Sequence, residues 1–244
     1  MPVVASGWSG DCRRTWKDLG VNNGDDPDHV EMTDQTGMQQ QLHEVLRNSQ
    51  DLGFLGPGSV EDHTRHTQAF LQIIKERGQD RQRLLDLGSG GGVPGLVLAL
   101  ALPHADLVLL DVMQRRCRFL EQAVEKLSLS SRVEVKCGRA ELLARDPSLR
   151  HGFDTVIARS FGAPAVTVEC AVGFLKPASG ELLVSEPPTP DPSRWPASGL
   201  EMLGLELGER RSTEVATVQT IRSVREADER YPRRTGVPAK RPLF

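Results

Sequence analysis

Leu84-Leu85-Asp86-Leu87-Gly88-Ser89-Gly90-Gly91-Gly92-Val93-Pro94-Gly95 is the stretch whose residue types most directly imply chemistry. An apolar run ends in an acid, passes into a glycine cluster and opens an apolar helix, so backbone can approach a ligand closely where no Cβ intervenes. No Lys-Ser or Lys-Thr follows the glycines, which removes the cation and hydroxyl of an ATPase-type phosphate loop. Gly90-x-Gly92-x-x-Gly95 fits a dinucleotide pattern literally. Asp86 argues against a nicotinamide dinucleotide, because a carboxylate repels a pyrophosphate, whereas it suits the ammonium of the amino-acid moiety of S-adenosylmethionine. The expected cofactor contacts here are Asp86, Gly88, Gly90 and Gly92.

Three further positions stand where strands should end. Asp111 lies 23 residues beyond Gly88 and can accept hydrogen bonds from both ribose hydroxyls; it can also cap the helix that follows. Gly138-Arg139-Ala140-Glu141 falls where an adenine is usually flanked, although an acid in a first helical turn explains Glu141 equally well. Arg159 follows Val156-Ile157-Ala158, and a charge at the end of a buried strand needs a partner. It either pairs with Asp86 or Asp111 or holds substrate.

Those positions require alternating elements. Apolar patterning predicts strands at 83–87, 107–111, 132–137, 153–158 and 180–185, with helices at 93–102, 113–127 and 163–175 between them. The architecture expected is α/β, a doubly wound, mostly parallel sheet. Runs at about 201–210 and 213–224 read as an antiparallel pair closing it, and 186–192 as a proline-rich loop at the ligand-bearing edge. Ahead of the sheet, Met38, Leu42, Val45 and Leu46 fall at helical spacing, and Ser59 with Asp62 forms a capping box for a second helix reaching about Arg77. The expected organisation is a flexible arm at 1–34, a small N-terminal helical extension at 35–78, the α/β domain at 79–226 and a basic tail at 227–244.

The chain has 244 residues, 38% of them hydrophobic and 26% charged. Its longest apolar run, Leu96 to Leu102, is far short of the roughly 18 residues a membrane span needs. The first residues carry no secretory pattern, so a cytoplasmic location without a membrane partner is expected. The four cysteines have no C-x-x-C spacing and read as free thiols, and His63 with His66 reads as a solvated helix face, so no metal is expected. Net charge is −3, but residues 222–244 hold 7 bases against 3 acids, either a handle for a polyanion or a solvated tail.

The segments LLDLGSGGGVPGLVLAL, LLDVMQRRCRFLEQAV, GRAE, VIARSFG and YPRRTGVPAKRPL together resemble the bacterial RsmG (GidB) family of small-subunit ribosomal RNA methyltransferases. The resemblance covers roughly residues 52 to 185 plus the tail, and the Val-Pro-Gly after the loop is its most specific element. It implies a Rossmann-like class I methyltransferase fold, S-adenosylmethionine as cofactor, and transfer to a guanine N7 of 16S ribosomal RNA. It further implies cofactor contacts by Gly88, Gly90, Asp111, Ala140 and Glu141, with Arg139 and Arg159 near the RNA-facing mouth in a catalytic or orienting role. The partner implied is ribosomal RNA or the small subunit, with the oligomeric state left open. Two departures stand out. The family's Leu-Lys-Gly is replaced at Ser185-Glu186-Pro187, and its Tyr-Asn-Leu-Thr segment is missing from the N-terminal helices. These leave two alternatives: a methyltransferase acting on a small molecule or protein, or a non-catalytic RNA-binding module that retains the pocket.

Overall fold

Ser59 starts the first well-capped element. Its Oγ accepts from the Asp62 N–H at 3.0 Å and its own N–H donates to the Asp62 carboxylate at 3.4 Å, so helix α2 (Val60–Glu76) opens with the expected reciprocal cap. A computed structural model describes residues 31–78 and 82–244. The arm expected over 1–34 therefore lies, as far as residue 30, outside the described residues. The chain divides into Met1–Gly37 and Met38–Phe244, and the second unit carries the sheet and the site. Helix α1 (Glu31–Asp51) precedes α2.

Strands β1 (Arg83–Leu87), β2 (Asp106–Asp111), β3 (Val133–Cys137), β4 (Thr155–Ala158) and β5 (Glu181–Glu186) pair in parallel, in the order β3-β2-β1-β4-β5. Helices α3 (Gly95–Ala101), α4 (Gln114–Lys126), α5 (Ala140–Leu143) and α6 (Pro164–Val172) alternate with them. The strands read as continuous apolar runs because both faces are covered: Leu84, Leu85, Leu107, Leu109, Val156, Ile157 and Leu182 are all buried. Full burial of each such side chain is worth about 1.5–3 kcal/mol.

The strand order reverses between β1 and β4, and in an open α/β sheet ligands bind at the carboxyl ends beside that reversal. The register pairs Asp86 with Ile157 and Asp111 with Cys137. Asp86, Asp111, Arg159 and Glu186 therefore lie at or just beyond the same sheet edge.

The antiparallel closure is shorter than the pattern implied. Residues Ala197–Met202 form helix α7, and β6 (Leu205–Ser212) and β7 (Thr217–Ser223) follow, β7 pairing antiparallel with β5. Gly204, at φ +71°, makes the turn between helix and strand, and a Cβ there would lie 2.8 Å from the Arg225 carbonyl oxygen.

The free-thiol reading of the cysteines is corrected for one pair. Cys117 on α4 and Cys137 at the end of β3 are disulfide-bonded, their Cα atoms 5.8 Å apart, because α4 packs back on the strand that follows it. Cys170 is free and buried, and Cys12 lies outside the described residues.

The basic tail is only partly a solvated handle. Arg233 donates to the fully buried Glu169 carboxylate through Nε (2.7 Å) and Nη2 (2.6 Å) and through its backbone N–H (2.9 Å), while Arg145 and Arg150 donate to backbone carbonyls of residues 229–232. Tyr231 is buried and Phe244 packs against Gly199. Arg234, Lys240 and Arg241 remain exposed.

Candidate active site

The glycine loop turns on internal hydrogen bonds. The Gly88 and Ser89 N–H groups both donate to the Leu110 carbonyl at 2.8 Å, and Gly92 N–H donates to the Ser89 carbonyl at 2.7 Å. Gly90 N–H goes to the Asp111 carboxylate at 2.9 Å and Gly95 N–H to that of Asp86 at 3.0 Å. A loop built to cradle phosphates keeps such donors free for the ligand. This one has spent them on itself, which counts against a dinucleotide and for a ligand held by carboxylates.

Gly88 shows why a side chain is excluded: its φ is +80°, and a Cβ would lie 2.7 Å from Cδ2 of the Phe161 ring. A Cβ at Gly95 would meet the Asp86 carboxylate at 2.5 Å.

Asp86 is 1% exposed, and burial pushes its carboxyl up to about 7 against the opposing pull of hydrogen bonds from Ser89 and Gly95 and of the Arg159 charge. Asp111, also buried, is locked between Gly90 N–H and Met113 N–H, the latter at 2.8 Å on its other oxygen, with Arg116 3.8 Å away. Each of its oxygens keeps a second lone pair, which is what two ribose hydroxyls need.

Next to it, Val112 and Met113 are 47% and 48% exposed and Leu142 on α5 is 60% exposed. These are exposed apolar side chains just past the end of β2 and in the helix that follows β3. The sequence reading missed them; the available signal was the apolar pair directly after the strand-end acid. Ala140 is buried and Arg139 exposed at the start of α5. One carboxylate oxygen of Glu141 accepts from the Gly236 N–H of the tail at 2.8 Å.

Arg159 pairs with neither carboxylate directly. Its Nη2 lies 2.7 Å from Nδ1 of His63, whose Nε2 lies 3.1 Å from the Gly56 carbonyl oxygen. A carbonyl only accepts, so Nε2 carries the proton and Nδ1 accepts from Arg159. Burial draws the Arg159 guanidinium down from its usual range, opposed by the Asp86 carboxylate.

The solvated-face reading of the histidines is thereby corrected. His63 is buried in one stripe with Thr67, Phe70 and Ile74, an i, i+4, i+7, i+11 spacing visible in the sequence but passed over because the residue type is polar. His66 lies 3.1 Å from Ser185 Oγ, and burial, with the nearby Arg159 and His63, brings it down to about 4. It is neutral at pH 7.

The acid gained at Glu186 has a cation of its own. Arg194, from the turn Pro192–Arg194, donates Nε to one carboxylate oxygen at 2.7 Å and Nη2 to the other at 2.9 Å. Among the described residues no group of three or more His, Cys, Asp or Glu could hold a metal ion.

A parallel sheet reversed between β1 and β4, with an acid at the carboxyl end of each of its first two strands around a self-satisfied glycine loop, is the fold of class I methyltransferases. Solved structures share that fold. The O-methyltransferase from Bacillus cereus in complex with SAH aligns with a TM-score of 0.53 at 17% identity, over 75% of this chain and 90% of that one. The branched-chain polyamine synthase C9 mutein from Thermus thermophilus aligns with a TM-score of 0.54 at 17% identity, over 75% and 64%.

Residues 35–185 match the family model described as GidB, rRNA small subunit methyltransferase G. The ribosomal RNA small subunit methyltransferase G of Prochlorococcus marinus (strain MIT 9313) is 36% identical over 71% of this chain and 72% of its own. That of Thermotoga sp. (strain RQ2) is 38% identical over 75% and 81%. The chain belongs to the GidB, or rRNA small subunit methyltransferase G, family.

Proposed function

We propose that this protein transfers a methyl group to the N7 of one guanine in 16S ribosomal RNA, acting in the cytoplasm on the small subunit or its RNA. The observation that carries the reading is the family match across 35–185, which takes in the glycine loop, Asp111 and Arg159. The cradle fits S-adenosylmethionine: a buried carboxylate suits its ammonium, Asp111 its ribose, and Val112, Met113 and Leu142 its adenine. That cofactor supplies an activated sulfonium methyl group.

The chain's own residues bind, orient and exclude water. A guanine N7 attacks with a lone pair and has no proton to lose, so no general base is needed. The histidines suit that requirement, His63 being tied between Gly56 and Arg159 and His66 held neutral. In this reading residues 79–226 carry the transfer, His63 and His66 of the helical extension wall the mouth, and Arg159 and Arg139 orient the RNA. Arg234 and Lys240 of the tail meet phosphates, with affinity that falls steeply in salt. No helix of the described residues is long and apolar enough to cross a membrane.

The test is incubation with labelled S-adenosylmethionine and small subunits, or their naked RNA, from a strain lacking the gene, followed by mapping of the label. Label on one guanine supports the reading, and cofactor binding without RNA labelling refutes it. Arg159→Ala is expected to lower transfer about 100-fold while cofactor affinity holds within a few-fold; undiminished transfer removes Arg159 from the mechanism.

A further inference from the structure

Arg194 and Arg233 are each held by a carboxylate, of Glu186 and Glu169 respectively. Arg159, half-buried just past the end of β4, makes no ion pair among the described residues; its partner is an imidazole nitrogen, Nδ1 of His63, 2.7 Å from its Nη2. An arginine bonded to a carboxylate has its charge cancelled locally, whereas one bonded to a neutral acceptor is fixed in place with its charge intact.

We infer that His63 is a positioning residue for the transfer: its neutral imidazole aims the Arg159 guanidinium while leaving the charge free for a phosphate of the acceptor RNA. The inference rests on the ribosomal RNA methyltransferase reading and extends it to a residue of the helical extension, 96 residues away along the chain from the arginine it serves.

The start of α2 places His63 for that task. The cap of Ser59 with Asp62 fixes the first turn, and His63, the next residue, donates its own N–H to the Ser59 carbonyl at 3.2 Å. Gly58, at φ +115°, bends the preceding segment, and the Gly56 carbonyl oxygen lies 3.1 Å from Nε2. That contact keeps the proton on Nε2, so the lone pair on Nδ1 faces a group that can only donate. Both nitrogens of a buried ring are then satisfied without any charge on it.

The guanidinium keeps a complete binding edge. It has five N–H groups, and Nη2 stands at the corner shared by its two donor edges. His63 occupies one N–H of Nη2 and so uses one edge; the other retains both of its donors, a fork that matches two oxygens of a phosphate. The acid whose charge Arg159 feels is Asp86, and that carboxylate is taken by the Gly95 N–H and, in this reading, by the cofactor ammonium. His66, held neutral beside Arg159, takes none of the charge either. A phosphate contact of this kind fixes the register of the nucleic acid rather than reading its sequence.

The test measures kcat/KM on small subunits, and the salt dependence of RNA binding, for the wild type and for His63→Asn, His63→Leu and His63→Asp. Asn carries an oxygen at the place of Nδ1, Leu carries no acceptor, and Asp makes the stronger bond to Arg159 but cancels its charge. His63→Leu is expected to lose about tenfold, the scale of one hydrogen bond to a charged group, and His63→Asn to recover most of that loss. His63→Asp is expected to do no better than Leu and to flatten the slope of log affinity against log salt by about 0.7–0.9, the contribution of one phosphate contact. If His63 merely tied α2 to the sheet, the ion pair would make Asp the best replacement, and that ranking overturns the inference. In an Arg159→Ala background His63→Leu is expected to change kcat/KM by less than about twofold, because the two residues act as one unit; a second tenfold loss there overturns the inference as well. So does a loss of S-adenosylmethionine affinity that tracks the variants, since it places the guanidinium on the cofactor and not on RNA. A wild type that labels no ribosomal RNA overturns the methyltransferase reading, and this inference with it.

Discussion

Asp86→Asn should make the cofactor-free protein more stable while weakening its hold on cofactor, and pH separates the two effects. Asp86 is buried with its carboxyl raised from 3.8 to about 7, so the folded chain favours the neutral acid over most of the range in which the unfolded chain is ionised. Below pH 3.8 the carboxyl is neutral in both states and the variant and wild type should match. As pH rises through the window from 3.8 to about 7 the wild type loses stability, and above it the loss is complete.

A gap of about 3 units at 1.36 kcal/mol each gives a deficit of about 4 kcal/mol at pH 8, against about 1 kcal/mol at pH 4.5. Asn retains an oxygen for the Gly95 N–H, so the loop hydrogen bond survives the change. Urea unfolding of both proteins at the two pH values reads the difference directly. In a thermal scan it corresponds to a Tm about 8–15 °C higher for the variant at pH 8. Cofactor binding runs the other way, because pairing with the ammonium requires the ionised carboxylate. Wild-type affinity should rise more than about tenfold from pH 5.5 to 7, a range in which an α-ammonium stays charged, and binding by Asp86→Asn should be weak and flat with pH. A variant advantage equal at pH 4.5 and 8, or a more stable wild type at pH 8, would show that Asp86 is ionised in the resting protein and refute the reasoning.

Two other perturbations follow from the same geometry. Asp111→Ala strips the acceptor from the Gly90 and Met113 N–H groups, so S-adenosylmethionine affinity by calorimetry should fall about 10- to 100-fold, with about 1–3 kcal/mol of stability lost in urea unfolding; intact affinity would remove Asp111 from the ribose site. Arg233→Ala leaves Glu169 buried without its cation and should cost about 3–5 kcal/mol, much of it recovered in the double variant with Glu169→Gln; additive losses would show that the pair does not couple.

The sequence by itself determined what depends on neighbours along the chain. Apolar patterning marked every parallel strand and the helices α3, α4 and α6 between them, Ser59 and Asp62 marked the start of α2, and an acid before a glycine cluster marked the turn from β1 towards α3. These are local preferences, and burial on both faces of the sheet reinforces each of them.

Tertiary structure alone decided the partners of the charged and polar groups. Arg159 meets His63 across 96 residues, Arg233 meets Glu169 across 64, and Cys117 meets Cys137 across 20. Even Glu186 and Arg194, 8 residues apart, pair only because the proline-rich segment folds back over the end of β5. A hydrogen bond or ion pair is set by ångström-scale distance and direction, which residue spacing does not encode. Buried polar groups must find such partners wherever the packed strands bring them, so the same sheet that the apolar pattern revealed is what chose them.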